Sequence, residues 1–311
     1  MKTIDVIIPV YNGLPYVITT LNSVMAQTRR PDQIIIVNDG SKDETLAELE
    51  KIKATRTDHN ITIIDKPNGG HSSATNVGIR HSKADLIALV DADDVWAPRK
   101  LELQEKVFNT STVENLGIVY CNYGNIDHKD QIMTDFPCFN MDTSVRGKVF
   151  QDLIIRGNLI AGSNSAVMIK RECFLQVGPL FDEYLRCGED WEMWIRLAKL
   201  YNFDHAPEVL VYIRRHPNNL SNENMLHMKS NLYILNKWIK EIHQFGGYTL
   251  VADYLARSTV NNLKQLFLSS EYSELRTWVK NLSQGFPFPR MIIAWGFLRK
   301  VRKKIFKLVT N

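Results

Sequence analysis

The first hundred residues alternate short apolar runs with polar segments of helical period, and that alternation admits few folds. Ile4 to Val10, Gln33 to Asn38, Ile61 to Asp65 and Leu86 to Val90 are β-rich and too short for buried helices, so they read as buried strands. Between them Leu14 to Gln27, Lys42 to Lys53 and Ser72 to Ser82 read as helices. Asp43 and Glu44 stand near the start of the second, where the helix dipole favours acids. A βαβαβαβ succession predicts a parallel sheet covered by helices. From Pro98 to about Asn222 helix (Arg99 to Phe108, Glu189 to Tyr201) mixes with strand (Gly117 to Asn122, Ala166 to Lys170, Val209 to Arg214). Beyond Asn222 the period is helical, broken at Gly246-Gly247, Gly285 and Pro287/Pro289.

Composition narrows the class further. A chain of 311 residues with 44% hydrophobic content has enough apolar material for one large or two modest domains. The uninterrupted apolar run Met291 to Leu298 is far short of the roughly 20 residues of a membrane-spanning helix. Lys2, Asp5 and Pro9 interrupt the N-terminus where a signal peptide is apolar. Cysteines at 121, 138, 173 and 187 form no Cys-x-x-Cys pair, so neither a zinc site nor a disulfide scaffold is expected, and reduced thiols in cytosol are. The net charge of +4 is unevenly spread. From Arg290 onward there are seven cations and no acid, which leaves a net −3 for everything before once seven is subtracted from +4.

No Gly-x-Gly-x-x-Gly follows the first strand and no Gly-Lys-Ser/Thr loop occurs, so dinucleotide and P-loop readings lose their main support. The strand exits are acidic instead: Asn38-Asp39-Gly40-Ser41 after the second and Asp91-Ala92-Asp93-Asp94 after the fourth. Ligands of open α/β sheets bind outside the carboxyl ends of the strands, where both clusters fall. If the fourth strand stays extended at its end, Asp91 and Asp93 face the same way with Cα atoms about 6.6 Å apart. Two such carboxylates can converge on Mg²⁺ or Mn²⁺, whose shells are completed by phosphates and water, so a diphosphate is the natural guest.

The succession Val6-Ile7-Ile8-Pro9-Val10-Tyr11-Asn12-Gly13, Val37-Asn38-Asp39-Gly40-Ser41, Asp91-Ala92-Asp93-Asp94 and Gly188-Glu189-Asp190-Trp191 resembles the family 2 glycosyltransferases over about the first 220 residues. That resemblance implies a GT-A fold, a mainly parallel sheet flanked by helices. It divides the chain into a catalytic domain, 1–222, and a helical C-terminal region, 223–311. Within the former, 1–105 would bind the nucleotide sugar and 106–222 the acceptor. It implies inverting transfer from a UDP- or dTDP-sugar, of the hexosyl or N-acetylhexosaminyl class, to a hydroxyl of a glycan or lipid-linked acceptor, with Mn²⁺ or Mg²⁺ as cofactor. Asp39 would accept from the uracil N3–H, Asp91 would reach the ribose, and Asp93 would hold the metal. The turn from Pro9 to Asn12 would lie along the nucleotide, with Tyr11 near the base. Asn76 and the backbone of Gly69-Gly70 would neighbour the donor, although Thr75 stands where an arginine is common in the family. Arg214-Arg215-His216 closes a strand and is similar to the segment that folds over the diphosphate, giving Arg214 to the donor and His216 to the metal.

An inverting transfer needs one general base for the acceptor hydroxyl, and the resemblance assigns it to Asp190. Glu189 would support the site or cap the helix, and Glu189 and Trp191 are candidates for acceptor binding. Trp191 and Trp194 stand at helical spacing, which also suits a core. Two other classes compete: a nucleotidyltransferase forming sugar nucleotides and a non-catalytic carbohydrate-binding protein. The former's Gly-rich, Arg-containing loop is replaced by Tyr11-Asn12-Gly13-Leu14. No nucleic-acid partner is expected. In 290–311 apolar residues recur near helical spacing among the cations, which suits an anionic membrane surface and a peripheral place on the inner face of the cell membrane.

Overall fold

The structure is a computed structural model that describes residues 2–135, 145–157, 160, 164–217, 219 and 224–245. The expected basic tail 290–311, Cys138 and most of the C-terminal region lie outside the described residues. By contacts the chain divides into two units, Met1–Phe150 with Asn158–Asn219, and Gln151–Gly157 with Leu220–Asn311.

In the first unit, β1 (Ile4–Val10) is buried at every residue, which is why its sequence shows no polar alternation. Its one acid, Asp5, is tolerated because Ser82 Oγ donates to it at 2.6 Å; burial still pushes its carboxyl above the ordinary range. Parallel to β1 run β2 (Gln33–Asn38) on one side and β4 (Leu86–Leu89) on the other, and β3 (Ile61–Asp65) extends the sheet beyond β2. The connecting helices are α1 (Tyr16–Met25), α2 (Thr45–Thr55) and α3 (His71–His81). Two-residue β5 (Val95–Trp96), α4 (Lys100–Thr110), β6 (Leu116–Ile126), β7 (Val167–Lys170) and β8 (Asn202–Arg214) follow, giving an eight-stranded sheet ordered β3-β2-β1-β4-β7-β6-β8-β5. β7 is antiparallel to both β4 and β6, whereas β6 and β8 are parallel, so the sheet is mixed, within the expected α/β class.

β8 begins seven residues before the expected strand, with Asn202 rather than Val209, because Asp204, His205 and Glu208 break its apolar pattern. The register shifts between Cys121/Asn122 and Asn122/Tyr123 interrupt the β6–β8 ladder, the kind of irregularity at which paired strands bend. Short α6 (Arg171–Gln176) and long-faced α7 (Glu189–Ala198) complete this unit. On α7, Trp191, Met193, Trp194, Ile195 and Leu197 are buried, and Glu192, fully buried, is held by Arg196 Nε at 2.8 and 3.0 Å. That pairing is what lets a carboxylate sit in the core.

Lys100, on α4, is also fully buried. Its Nζ lies 3.9 Å from the Trp96 ring centroid and donates to Gln104 Oε1 at 2.8 Å; burial lowers its pKa to about 8. Gln104 in turn donates to the carbonyls of Val119 and Ala166. Cys121, Cys173 and Cys187 are buried free thiols. In the second unit, which takes in α5 (Phe150–Arg156) from Gln151 onward, Leu153 and Ile154 are buried, as are Leu232, Ile234 and Leu235 on α8 (Asn224–Lys237), Trp238 just after it, and Ile242 on α9 (Ile239–Phe245). Among the described residues no helix is long and apolar enough to cross a membrane.

Candidate functional site

The exits of β1 and β2 are tied together by short-range hydrogen bonds. Asn12, with a left-handed φ of 48°, accepts from Lys42 N at 2.8 Å through its side chain and donates its own N–H to Ser41 Oγ at 2.9 Å. Gly13 N donates to Thr45 Oγ1 and Asp39 N to Val10 O. This leaves Tyr11 projecting, 46% exposed, while Pro9 stays in the buried strand beside Val37. The Asp39 carboxylate is buried and accepts from Gly69 N at 2.9 Å, Gly70 N at 2.7 Å and Lys66 Nζ. A carboxylate has about four lone-pair directions, so these three donors leave room for one more. Asp39 thus shapes the 66–70 turn, in which Gly70 adopts φ 91°, a conformation that costs glycine little.

Directly after that turn, α3 begins at His71. Its Nε2 lies 3.1 Å from Asp91 Oδ1, and its Nδ1 lies 3.3 Å from Glu189 Oε1 on α7, with 27% of the side chain exposed. Burial opposes the imidazolium, yet contact with the two carboxylates outweighs it and holds the His71 pKa well above its ordinary 6.5. Gly188 at φ 73° turns the chain into α7, so Glu189, Asp190 and Glu192 occupy its first turn. Asp190 is 8% exposed and its Oδ1 accepts from Trp191 N at 2.7 Å.

The exit of β4 is held in place from across the sheet. Ser165 Oγ accepts from Asp91 N at 2.9 Å and donates to buried Asp94, which also accepts from Arg214 N at 3.1 Å. Burial, reinforced by the neighbouring charges of Asp93 and Asp91, raises the Asp94 pKa well above the ordinary carboxylate range. Beyond β8, His216 Nε2 lies 3.0 Å from Asp93 Oδ2, and Asn219 Nδ2 lies 3.4 Å from the same oxygen. The Tyr16 ring packs 4.9 Å from the His216 ring, and the Arg214 guanidinium lies 4.7 Å over its face.

Residues 5–177 match glycosyl transferase family 2, more than half of the 311. The chain belongs to that family. It is 37% identical over 218 residues, 68% of its length, to an uncharacterized glycosyltransferase of Rickettsia prowazekii, and it spans 64% of that relative's length. A Nostoc glycosyltransferase, also uncharacterized, is 28% identical over 298 residues, covering 92% of this chain and 89% of the relative. Among solved structures, S. aureus TarS 1-349 in complex with UDP-GlcNAc superposes with a TM-score of 0.64 at 16% identity, covering 92% of this chain and 82% of that one. That likeness establishes the family's GT-A-like fold here.

Three of the site residues expected in this family 2 chain are placed otherwise by the structure. Arg214 was expected at the donor, but it is 1% exposed. Its guanidinium donates to Asp93 O at 2.8 Å and Asp127 O at 3.1 Å and pairs with Asp130 Oδ1, so it braces the loop that carries Asp93. Asn76 was also expected there. Its amide instead exchanges hydrogen bonds with Phe181 O and N, both 2.9 Å, and donates to Glu183 Oε1, which clamps α3 to the segment ahead of α7. Trp191, a candidate acceptor platform, is 3% exposed and belongs to the core. Conversely, Ser165 and Tyr16 carry no motif, and His71 lies in the segment Asn68 to Gly78, similar to the family's glycine-led helix entry, without a role of its own there; the places of all three follow from contacts distant in sequence. Asp39, Asp91, Asp93, Glu189, Asp190 and His216 all come from strand exits or helix starts on the expected side of the sheet.

Proposed function

We propose that the protein is an inverting glycosyltransferase that moves a sugar from a UDP- or dTDP-sugar to a hydroxyl of a glycan or lipid-linked acceptor. The observation that carries this reading is the gathering of carboxylates at the carboxyl ends of the strands, with Asp93 paired to His216 and Asp91 joined through His71 to Glu189 at the start of α7. UDP-N-acetylhexosamines are the first donors to test, since the TarS structure with the same fold was solved with UDP-GlcNAc.

A divalent cation fits the residues present. Asp93 Oδ2 and His216 Nε2, in hydrogen-bond contact at 3.0 Å, are an oxygen and a nitrogen donor of the types that would hold Mg²⁺ or Mn²⁺. Among the described residues no group of three or more His, Cys, Asp or Glu is arranged to hold a metal ion unaided. This suits an ion whose remaining positions go to substrate phosphates and water. Bound there, Mg²⁺ or Mn²⁺ would neutralise the departing diphosphate. Asp39 would take the N3–H of uracil or thymine with its remaining acceptor direction, Tyr11 would lie near the base, and Asp91 would face the ribose. Asp190 would take the proton of the acceptor hydroxyl as its oxygen attacks the anomeric carbon. Arg214 and Asn76 act on this machinery by bracing it. The peripheral membrane contact through 290–311 belongs to the same proposal.

The test is incubation with UDP-, dTDP- and GDP-sugars, Mn²⁺ and lipid-linked acceptors. Glycosylated product with inverted anomeric configuration and free UDP or dTDP is expected. Pyrophosphate release would instead identify a nucleotidyltransferase, and retained configuration by NMR would exclude a single displacement.

A further inference from the structure

We propose that His71 is the positioning residue joining the donor side of the site to the general-base helix: as an imidazolium it holds Asp91 and Glu189 in one fixed relation, and thereby sets where Asp190 stands. The inference rests on the reading above for its enzymatic consequence, while the bridge itself rests on geometry.

His71 touches both Asp91 at the β4 exit and Glu189 at the start of α7, with contacts of 3.1 and 3.3 Å from its two ring nitrogens. A neutral imidazole has one N–H and one lone pair, so it would turn a lone pair toward a carboxylate oxygen on one side. Only the doubly protonated ring offers a hydrogen to both. Its own surroundings add no reason for that charge, because a cation at the N-terminus of a helix is disfavoured by the dipole. The two carboxylates are therefore what keeps the proton. Asp91 from the β4 exit and Glu189 from α7 both face the ring, and their pull exceeds the cost of burial.

The ring is also anchored from behind. Gly69 and Gly70, the residues just before it, are bound through their N–H groups to the Asp39 carboxylate. Residues 69–71 thus meet Asp39, Asp91 and Glu189, one carboxylate from each of three elements. Asp190 follows Glu189 in the first turn of α7, so its displacement relative to the donor is limited by the His71 contact. Removal of one proton from His71 would break that limit and leave one of the two carboxylates facing a lone pair.

The experiment has two arms. In the first, the full chain is labelled with ¹⁵N-histidine and the imidazole nitrogens are followed against pH in the wild type, Glu189→Gln and Asp91→Asn. A doubly protonated His71 through neutral pH is expected, with a titration midpoint that falls in each variant. A neutral ring at pH 7, or a midpoint unmoved by Glu189→Gln, would overturn the bridge. In the second arm, His71→Gln should lower kcat on the order of 10- to 100-fold, the cost of small misplacement. The KM for donor should stay within about twofold, and the alkaline decline of kcat present in the wild type should disappear. Wild-type kcat with an unchanged alkaline limb would overturn the positioning role, as would a change confined to thermal stability. Absence of transfer by the wild type with every donor would sink the enzymatic reading alone, because the NMR arm still decides the bridge.

Discussion

The sheet edge that gathers the candidate site is built by two regions in different ways. Residues 1–97 tie their strand exits with bonds of modest sequence separation: Asn12 to Lys42 spans 30 residues and Asp39 to Gly70 spans 31. The second region reaches in from afar, with Ser165 to Asp94 spanning 71 and His216 to Asp93 spanning 123. Closing a longer loop costs more chain entropy, by about 0.6 kcal/mol per doubling. The contrast teaches that the nucleotide side is shaped within its own βαβ units. The Asp93–His216 contact and the start of α7 come into place only once β8 and α7 have docked, so on the proposed reading donor shape and chemistry are separable by mutation.

The strongest way to sharpen this comparison is Asp190→Asn. It should lower kcat by about 10²–10⁴-fold, the usual contribution of a general base, and leave UDP affinity by calorimetry nearly unchanged. Equal losses in binding and turnover would mean that α7 also shapes the donor side. Next in size is Asp93→Ala, which removes one of two ligands and the charge that a cation balances. UDP binding in Mn²⁺ should weaken on the order of 100-fold and become insensitive to EDTA; affinity equal to the wild type with and without chelator would remove the metal assignment.

The smallest effect is expected at the seam. Asn76→Ala strands the Phe181 N–H and carbonyl that its amide now satisfies, a loss of about 1–3 kcal/mol in denaturant unfolding. Turnover should fall less than with Asp190→Asn. A stability change near zero would show that water replaces the amide, and the two regions would be less firmly joined at this point than the contacts indicate.

How much of this was legible in the sequence follows the same division. β1, β2 and β3 coincide with the expected strands to the residue: β1 and β2 are buried almost throughout and so are contiguous apolar runs with abrupt polar ends, and β3, the half-buried edge strand, is a short β-branched run. β5 is too short to leave a pattern, and the first half of β8 carries charges that its neighbours satisfy, as Ser111 and Arg146 do for Asp204. The carboxylates were legible because each sits at a strand exit or helix start, positions that periodicity locates. His71 was not, since a lone histidine after two glycines has no pattern and its partner Asp91 is 20 residues away. The bracing contacts of Arg214 are hidden for a related reason: only the packed structure brings to it the carbonyls of Asp93 and Asp127 that let it be buried.

Lys100 has a practical consequence. An ordinary lysine is almost wholly protonated at pH 8, where amine-directed reagents react slowly with it. Lys100, lowered to about 8 by burial, holds its proton less tightly, yet the Trp96 ring and Gln104 wall it off. The chain therefore carries a built-in clock: acylation of Lys100, read by mass spectrometry against that of exposed Lys51, counts the openings of the α4–β6 seam in the native ensemble. An adduct forming on Lys100 as fast as on Lys51 would mean that this part of the core breathes freely, and a rate that tracks global unfolding would mark it as among the last places to open.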